Sequence, residues 1–350
     1  MEKGKTMRIV IFYLFASFAF PGFFSFADVN YLEVKIQQEN PDNFHFVVMA
    51  DRTGGEQKGV FEQVISKVNL MCPSFVVSVG DNIPGYTTDV NEANRQWDEY
   101  DSFIKNLNVP FLKVCGNHDI SNEMQADVYQ KRFGSSYYYA IHKNVLFLFL
   151  NSDDPSASID PMLQKEVNEE KKKLKEIART QGVTPEGLVR LKKLDDKNRD
   201  MHGGKITDAQ FEFVSRVLAE HKDVRWTFVI MHKPIWKLTS PPANWLKIEE
   251  LLKDRPFTIF AGHEHIHTYT QKNNRDYIVM CTSGAGGMPQ SLPGVYQHIL
   301  WVTVTDKEPV IANLLADGIL EKADIRSIDK DGNSKNGIDV KKIVEEFSGK

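Results

Sequence analysis

The chain has 350 residues, of which 41% are apolar, 26% are charged and 11% are aromatic. This length and composition are ordinary for a globular protein and leave room for one large α/β domain or two small ones. The formal net charge of −4 argues against stable nucleic-acid binding, because proteins that bind DNA usually carry a basic domain or a basic stripe.

The first 27 residues are expected to be a signal peptide rather than part of the fold. Basic residues between 3 and 8 precede an apolar run over 9–20, and residues 25–27 (Ser-Phe-Ala) have the pattern of a cleavage site. An uncleaved anchor helix is the alternative, although Pro21-Gly22 interrupts the apolar stretch before it reaches a comfortable spanning length. We therefore expect a secreted or periplasmic protein with no membrane attachment after cleavage.

The three cysteines, Cys72, Cys115 and Cys281, are too few and too scattered for a disulfide framework. A single bridge from Cys281 to either Cys72 or Cys115 is possible in an oxidising compartment. The spacing of the cysteines does not decide between these pairings.

The next part of the chain alternates apolar β-type runs with helical patterns. Strands are predicted over 43–50, 74–79 and 110–114, and helices over 59–71 and 91–107. The strands end at Asp51, at Asp81 and at Gly116-Asn117-His118-Asp119. This alternation favours a parallel α/β sheet, in which the carboxyl ends of the strands meet at one edge and carry the functional groups.

The segment 153–205 has a different character from the rest of the domain. It contains two heavily charged helical patterns with thin apolar stripes, which we interpret as an inserted helical hairpin. The hairpin could be a lid over a site or a solvated arm with no functional role. A lead-in over 28–42 and a polar tail over 316–350, with a terminal helix at 340–347, flank the domain predicted over 43–315.

After this insertion, helical patterns and apolar β-type runs alternate again along the chain. A helix capped by Thr207 is predicted to run to residue 220, and a short helix covers 245–252. Strands are predicted over 137–141, 145–151, 224–231, 257–261, 266–271, 276–281, 296–305 and 310–315.

Histidines follow two of these later strands. His232 comes after 224–231, and His263 and His265 come after 257–261. With Asp51, Asp81 and Asn117 they make a mixed set of carboxylates, an amide oxygen and imidazoles, which suits Zn²⁺, Fe, Mn²⁺ or Co²⁺ rather than Ca²⁺. Six candidates exceed what one catalytic zinc takes from a protein, whereas two metals that share a bridging carboxylate use all of them. Two such ions can activate a bridging water and hold a phosphate oxygen on each side.

Three further residues are candidates for catalysis or substrate binding. His118, next to Asn117, is placed to act as a general acid or to stabilise the transition state of phosphoryl transfer. Asp119 is expected to orient His118 rather than to bind metal. Arg52 is a candidate for binding a substrate phosphate, because a guanidinium matches phosphate bidentately. A salt bridge that supports the loop is the alternative for Arg52.

The order and spacing of these motifs resemble the calcineurin-like metallophosphoesterase family, to which purple acid phosphatases are related. The resemblance covers about residues 43–315, and Gly116-Asn117-His118-Asp119 followed by Gly262-His263-Glu264-His265 is its most specific part. It implies an α/β fold, a four-layer α/β/β/α sandwich of two mixed β-sheets flanked by helices, with a dinuclear site on one edge. It also implies hydrolysis of a small-molecule or nucleotide-type phosphomonoester or phosphodiester by a hydroxide that bridges two divalent ions (Mn, Fe or Zn).

The resemblance also implies a ligand set for each metal. Asp51, Asp81 and His265 would hold the first metal. The second metal would be held by Asp81, as the bridging ligand, with Asn117, His232 and His263.

One position departs from the family pattern. The first motif usually reads Asp-x-His, and this chain has Thr53 in place of the histidine. Purple acid phosphatases also lack that histidine but have a tyrosine three residues after the second-motif aspartate, where this chain has Pro84. Thr53 itself, a water, Tyr86 or His267 could complete the first site, which we expect to bind metal weakly. The alternative function is therefore a metal- or phosphate-binding protein with little or no catalysis.

Overall fold

The computed structural model describes residues 40–153, 203–288 and 291–319, with short stretches between 169 and 193 and the pairs 327–328 and 334–335. The predicted signal peptide and the terminal helix at 340–347 lie outside the described residues. In the predicted insertion, the stretches 172–174 and 189–190 are helical, as the charge pattern indicated. Among the residues described, no helix combines the length and the apolar character needed to cross a membrane.

Eleven strands and five α-helices form the domain within the ranges 40–153, 203–288 and 291–319. The strands are β1 (Phe44–Met49), β2 (Phe75–Ser78), β3 (Phe111–Lys113), β4 (Tyr138–His142), β5 (Val145–Phe149), β6 (Trp226–Ile230), β7 (Phe257–Ala261), β8 (Thr268–Lys272), β9 (Arg275–Val279), β10 (His298–Val304) and β11 (Val310–Leu315). The helices are α1 (Val60–Met71), α2 (Val90–Ile104), α3 (Glu123–Phe133), α4 (Asp208–Glu220) and α5 (Ala243–Leu252).

The strands form two mixed sheets. The first has the order β11-β10-β1-β2-β3, in which β1, β2 and β3 are parallel and β10 and β11 are antiparallel to their neighbours. The second has the order β4-β5-β6-β7-β9-β8, in which β5, β6, β7 and β9 are parallel. The parallel strands at the centre of each sheet carry their carboxyl ends to one edge, as the alternating pattern predicted.

The apolar faces of the two sheets pack against each other. The ring of Phe46 on β1 lies 5.3 Å from the ring of Phe147 on β5 and 5.0 Å from that of Phe228 on β6, measured between centroids. Helices α1 to α3 cover the outer face of the first sheet, and α4 and α5 cover that of the second. Two mixed sheets flanked by helices confirm the predicted sandwich.

Helix α3 was not predicted from the sequence. Its apolar residues are spread around the helix rather than gathered on one face, and only Gln125, Val128 and Tyr129 are buried. The side chain of Asn122 accepts a hydrogen bond from the N–H of Gln125 at 3.0 Å, which caps the first turn. The cap predicted at Thr207 is present, since its hydroxyl accepts from the N–H of Gln210 at 3.3 Å.

The three cysteines are all free, so neither of the two possible bridges is formed. Cys72 is exposed, while Cys115 and Cys281 are buried.

Candidate metal centre

The predicted ligands converge where the central strands of both sheets end. Asp51 follows β1 and Asp81 follows β2 in the first sheet, while His232 follows β6 and His263 follows β7 in the second. Two sets of three side chains have ligand atoms that all lie within 4.8 Å of one another. These sets are Asp81, His232 and His263, and Asp51, Asp81 and His265. Asp81 belongs to both sets, so its carboxylate is placed to bridge two ions.

The ligand set for the second metal, Asp81, His232 and His263, is completed by an amide oxygen. The Nε2 atom of His232 lies 3.2 Å from Oδ1 of Asp81 and 3.3 Å from Nδ1 of His263. The Oδ1 atom of Asn117 lies 3.1 Å from the same Nε2 atom. Carboxylate, imidazole and amide atoms thus surround one point, as expected for a site that binds Zn²⁺, Mn²⁺ or Fe.

The orientation of His232 fits metal binding. Its Nδ1 atom lies 2.9 Å from the carbonyl oxygen of Val79, and because a carbonyl can only accept, Nδ1 carries the hydrogen. The Nε2 atom then turns its lone pair toward Asp81 and Asn117. Burial lowers the pKa of His232, but the Asp81 carboxylate raises it more, to about 10. The surroundings of this imidazole therefore favour a positive charge, which a proton or a metal ion can supply.

The ligand set for the first metal comprises Asp51, Asp81 and His265. Oδ2 of Asp51 lies 3.2 Å from Nε2 of His265 and accepts a hydrogen bond from the N–H of His263 at 2.9 Å. Oδ1 of Asp51 is buried and has no hydrogen-bond partner among the described residues. The Nδ1 atom of His265 lies 2.8 Å from the carbonyl of Gly286, which leaves Nε2 as the ligand atom. A buried carboxylate oxygen with no donor fits a cation at this position.

The charge of Asp81 is stabilised by its neighbours. Burial by itself would raise its pKa, but the imidazoles of His232 and His118 hold the pKa well below its ordinary range. The N–H of His118 also donates to Oδ1 of Asp81 at 3.0 Å. Asp81 therefore stays ionised in the interior, as a bridging ligand must be.

Two motif glycines leave space for the carboxylates. A Cβ atom on Gly116 would lie 2.2 Å from Oδ1 of Asp81, and one on Gly262 would lie 2.1 Å from Oδ1 of Asp51. Any larger residue would displace these oxygens. The glycines that precede Asn117 and His263 are thus required by the approach of the ligands.

Several residues at the site have left-handed backbone conformations. The φ angles are +53° for Asp81, +72° for His263, +53° for His265 and +51° for Tyr86. Such angles are strained for residues other than glycine, and they cluster at functional sites. The strain is a second indication, independent of chemistry, that this edge of the fold is functional.

The contacts of Asp119 correct its predicted role. Its Oδ1 atom accepts from the N–H groups of Asn82 (2.9 Å) and Ile83 (3.0 Å), and its Oδ2 atom accepts from Asn82 Nδ2 and the N–H of Gly116, both at 2.8 Å. The Nδ1 atom of His118 instead lies 2.6 Å from the carbonyl oxygen of Pro84. Asp119 therefore joins the two loops that carry Asp81 and Asn117, and the Pro84 carbonyl orients His118.

The contacts of Arg52 differ from those expected of a residue that binds a substrate phosphate. Its side chain is 7% exposed and donates to the carbonyl of Asn82 at 3.0 Å and to Glu99 at 2.9 Å. It forms an ion pair with Glu56 at 3.3 Å, and its guanidinium carbon lies 4.9 Å from the centroid of the Phe103 ring. These contacts match the salt-bridge alternative, in which Arg52 supports the loop, rather than a role in binding phosphate.

Two of the residues considered as extra ligands for the first site, Tyr86 and His267, contact other groups. The hydroxyl of Tyr86 accepts from Nδ2 of Asn117 at 2.9 Å, which places it beside the second ligand set. The ring of His267 packs 5.1 Å from that of His298. Thr53 is buried, and its N–H donates to the carbonyl of Asp81 at 3.2 Å. Carboxylates and imidazoles thus give the first set three protein ligands among the described residues.

Two functional contacts were missed because they involve backbone carbonyls. The oxygens of Val79 and Pro84 orient His232 and His118, and any residue type offers such an oxygen. No sequence signal identifies them. The phenol of Tyr86 was considered as a metal ligand, and its contact with Asn117 depends on how the loop folds.

The chain belongs to the calcineurin-like phosphoesterase family, whose model matches residues 44–267. The fold, the two ligand sets and this match agree on a metallophosphoesterase. Among curated proteins, no sequence match is found.

Two solved structures share the fold. One is a dimetal phosphatase from Danio rerio, with 14% identity, a TM-score of 0.53 and a match over 78% of this chain and 96% of that chain. The other is the purple acid phosphatase PPD1 from yellow lupin (Lupinus luteus) seeds, with 12% identity, a TM-score of 0.51 and a match over 85% of this chain and 53% of that chain. At these identities the likeness concerns the fold alone.

Proposed function

We propose that this protein is a metal-dependent hydrolase of small phosphomonoesters or phosphodiesters. The observation that carries the proposal is the pair of ligand sets that share Asp81, because two adjacent cations suit phosphate chemistry. Asp51, Asp81 and His265 would hold one ion, and Asp81, Asn117, His232 and His263 the other. When bound, the ions supply an activated water and neutralise charge on the phosphoryl oxygens.

His118 is the proposed proton donor to the leaving group. With Nδ1 hydrogen-bonded to the Pro84 carbonyl, its Nε2 atom is directed to the site and lies 3.9 Å from Oδ2 of Asp81. The His118 side chain is 22% exposed, so a substrate can reach it. A proton on Nε2 would pass to the departing oxygen or stabilise the charge that develops there.

The experiment combines metal analysis with turnover. We expect at least one Mn, Fe or Zn ion per chain, and hydrolysis of p-nitrophenyl phosphate or its bis ester after addition of Mn²⁺. Asp81→Asn removes the shared carboxylate and should abolish both metal retention and turnover. Asp98→Asn is the matched control, because this aspartate is exposed and pairs with Arg132 on the surface. Less than about one metal per chain, together with no turnover, would contradict the proposal.

Thr53 supports a second candidate function, a metal- or phosphate-binding protein with little catalysis. The first ligand set contains three protein side chains, and Thr53 stands where the family usually has a histidine. Thr53→His tests this candidate directly. If catalysis is native, the variant should retain more metal and turn over faster than the wild type. Metal binding by both proteins without turnover by either would favour the binding protein.

Export through an N-terminal signal is also proposed. The basic residues between 3 and 8, the apolar run over 9–20 and the Ser-Phe-Ala sequence at 25–27 support it. Mass spectrometry of the protein recovered from its native cells should identify a mature N-terminus at Asp28. Recovery of the intact N-terminus from the cytoplasm would contradict export.

A further inference from the structure

Tyr86 contacts both a proposed metal ligand and the proposed proton donor. Its hydroxyl accepts a hydrogen bond from Nδ2 of Asn117 at 2.9 Å. Its ring lies 4.7 Å from the ring of His118, with the two planes at 81°. Tyr86 is nevertheless 61% exposed, so most of this aromatic ring faces solvent at the entrance to the site.

The loop that carries Tyr86 is held at successive positions. The N–H of Gly85 donates to Gln96 Oε1 at 2.7 Å, and the N–H of Tyr86 donates to Ser121 Oγ at 3.2 Å. The side chain of Asn122 donates to the carbonyl of Thr87 at 2.9 Å. The exposed ring is therefore a fixed surface. Stacking of a ligand on this ring costs little conformational entropy of the protein.

The backbone of this loop is strained in a way that presents the ring. Tyr86 has a φ of +51°, and Gly85, with a φ of +63°, packs so closely that a Cβ atom would lie 1.7 Å from the carbonyl oxygen of His118. A bulky residue in a left-handed conformation is a genuine outlier, and it persists only where the surroundings enforce it. The exposed ring lies beside His118, where a ligand at the site can reach it.

The hydroxyl of Tyr86 accepts from the Asn117 amide in the orientation that metal binding needs. With Nδ2 donating to the phenol, Oδ1 is left facing Nε2 of His232 at 3.1 Å. The reversed amide would turn its NH₂ group toward the metal position, where it could not act as a ligand. Partners of this kind orient a ligand without touching the metal.

We propose that Tyr86 determines specificity at this site, selecting phosphoesters whose leaving group carries a planar aromatic ring, either an aryl group or the base of a nucleoside. Its ring stacks on the leaving group beside His118, and its hydroxyl keeps the Asn117 oxygen directed at the metal. This proposal rests on the proposed phosphoesterase function and adds the substrate class to it.

Two substitutions separate the two roles of Tyr86. Tyr86→Phe keeps the ring and removes the hydroxyl, so the apo-protein should bind Mn²⁺ about tenfold more weakly while keeping its preference for aromatic ligands. Tyr86→Leu removes the ring as well. In the Mn²⁺-loaded protein it should lower the affinity for phenylphosphonate about tenfold more than that for methylphosphonate. Both affinities are measured by calorimetry, which requires no turnover.

Substrates then distinguish the two aromatic classes. The wild type should have a higher kcat/KM for p-nitrophenyl phosphate than for glycerol phosphate, and Tyr86→Leu should reduce this ratio about tenfold. If Tyr86→Leu lowers kcat/KM for adenosine 5′-monophosphate as much as for p-nitrophenyl phosphate, the site accepts nucleobases. If the substitution lowers it only as much as for glycerol phosphate, the site is specific for aryl esters. Tyr269→Leu is the matched control, because Tyr269 is 58% exposed and its hydroxyl donates to Asp276 on β9, outside the site.

Equal losses for phenylphosphonate and methylphosphonate in Tyr86→Leu would overturn the proposal. So would equal losses in Tyr86→Leu and Tyr269→Leu. A wild type that hydrolyses none of the esters could still bind phenylphosphonate more tightly than methylphosphonate, with Tyr86→Leu removing this difference. In that case the phosphoesterase function is contradicted and the aromatic specificity of the site is supported.

Discussion

The Nδ1 atom of His118 lies 2.6 Å from the carbonyl oxygen of Pro84. Because the carbonyl accepts only, Nδ1 carries a hydrogen, and any proton exchanged with a substrate must move through Nε2. The ring is thus oriented by backbone rather than by the carboxylate that follows it in the sequence. This arrangement separates the proposed proton donor from the residues that hold the loops together.

Replacement of His118 by Asn should lower kcat about a hundredfold or more, the usual contribution of a positioned general acid. The loss should grow across a series of substituted phenyl phosphates as the leaving phenol becomes more basic, because poor leaving groups need the proton most. Rates at saturating substrate measure this trend, and the aryl series keeps any stacking constant. Metal content should match that of the wild type. A loss that does not depend on the leaving group would contradict a role as general acid.

Replacement of Asp119 by Asn should destabilise the fold rather than alter the chemistry directly. Each carboxylate oxygen accepts two N–H donors, and an amide NH₂ in place of one oxygen leaves two buried donors unpaired. We expect the free energy of unfolding to fall by about 3 kcal/mol. Urea denaturation of the metal-free protein measures the loss.

The matched control for Asp119→Asn is Asp98→Asn. The Asp98 side chain is 70% exposed and pairs with Arg132, and surface pairs of this kind contribute roughly 0–1 kcal/mol. Similar losses in the two variants would show that the buried contacts of Asp119 contribute little.

Metal ions should stabilise the folded protein. The carboxylates of Asp51 and Asp81 are buried together, and cations between them would offset their mutual repulsion. Mn²⁺ at a free concentration of about 100 times its Kd should raise the free energy of unfolding by about 2.7 kcal/mol for one site. Calorimetric Tm values in Mn²⁺ and in chelator measure the effect. Asp81→Asn should abolish the response, and an unchanged Tm in the wild type would contradict metal binding at this site.

His298 should make stability depend on pH below neutrality. Its Nε2 atom accepts from the N–H of Cys281 at 2.9 Å, and its Nδ1 atom lies 2.7 Å from Oδ1 of Asn313, so the imidazole is held neutral. Burial lowers its pKa to about 3, against an ordinary value of 6.5. Between these values the unfolded chain binds the proton and the folded protein does not. Stability is therefore full above pH 6.5 and falls as the pH decreases toward 3, by about 1.4 kcal/mol per pH unit.

The test for His298 compares the wild type with His298→Gln. A glutamine can keep both hydrogen bonds and does not titrate. The free energy of unfolding of His298→Gln should therefore fall less steeply than that of the wild type as the pH decreases from 6.5 to 4. Urea denaturation in chelator measures the two slopes without a contribution from bound metal. Equal slopes would show that His298 binds its proton in the folded protein as readily as in the unfolded chain between pH 6.5 and 4.

The strands and their polar ends were readable from the sequence, and β7 and β11 have the bounds predicted for them. Helix α3 was missed because its buried residues include Gln125 and its apolar residues do not gather on one helical face. The sequence left Arg52 open between binding phosphate and supporting the loop. Its partner Glu99 is 47 residues away in the sequence, and no local pattern indicates that contact.

The amino-acid sequence by itself determined the succession of strands, the glycines and the ligand types at the strand ends, because hydrophobic period and motif spacing are local properties. It therefore indicated the family and the metal chemistry before any coordinates. Only the tertiary structure decided which carbonyls orient the histidines, that Asp119 and Arg52 hold loops together, and that Tyr86 lies against Asn117 and His118. Those relationships depend on packing between segments distant in the chain, where several partners are chemically possible and geometry selects one.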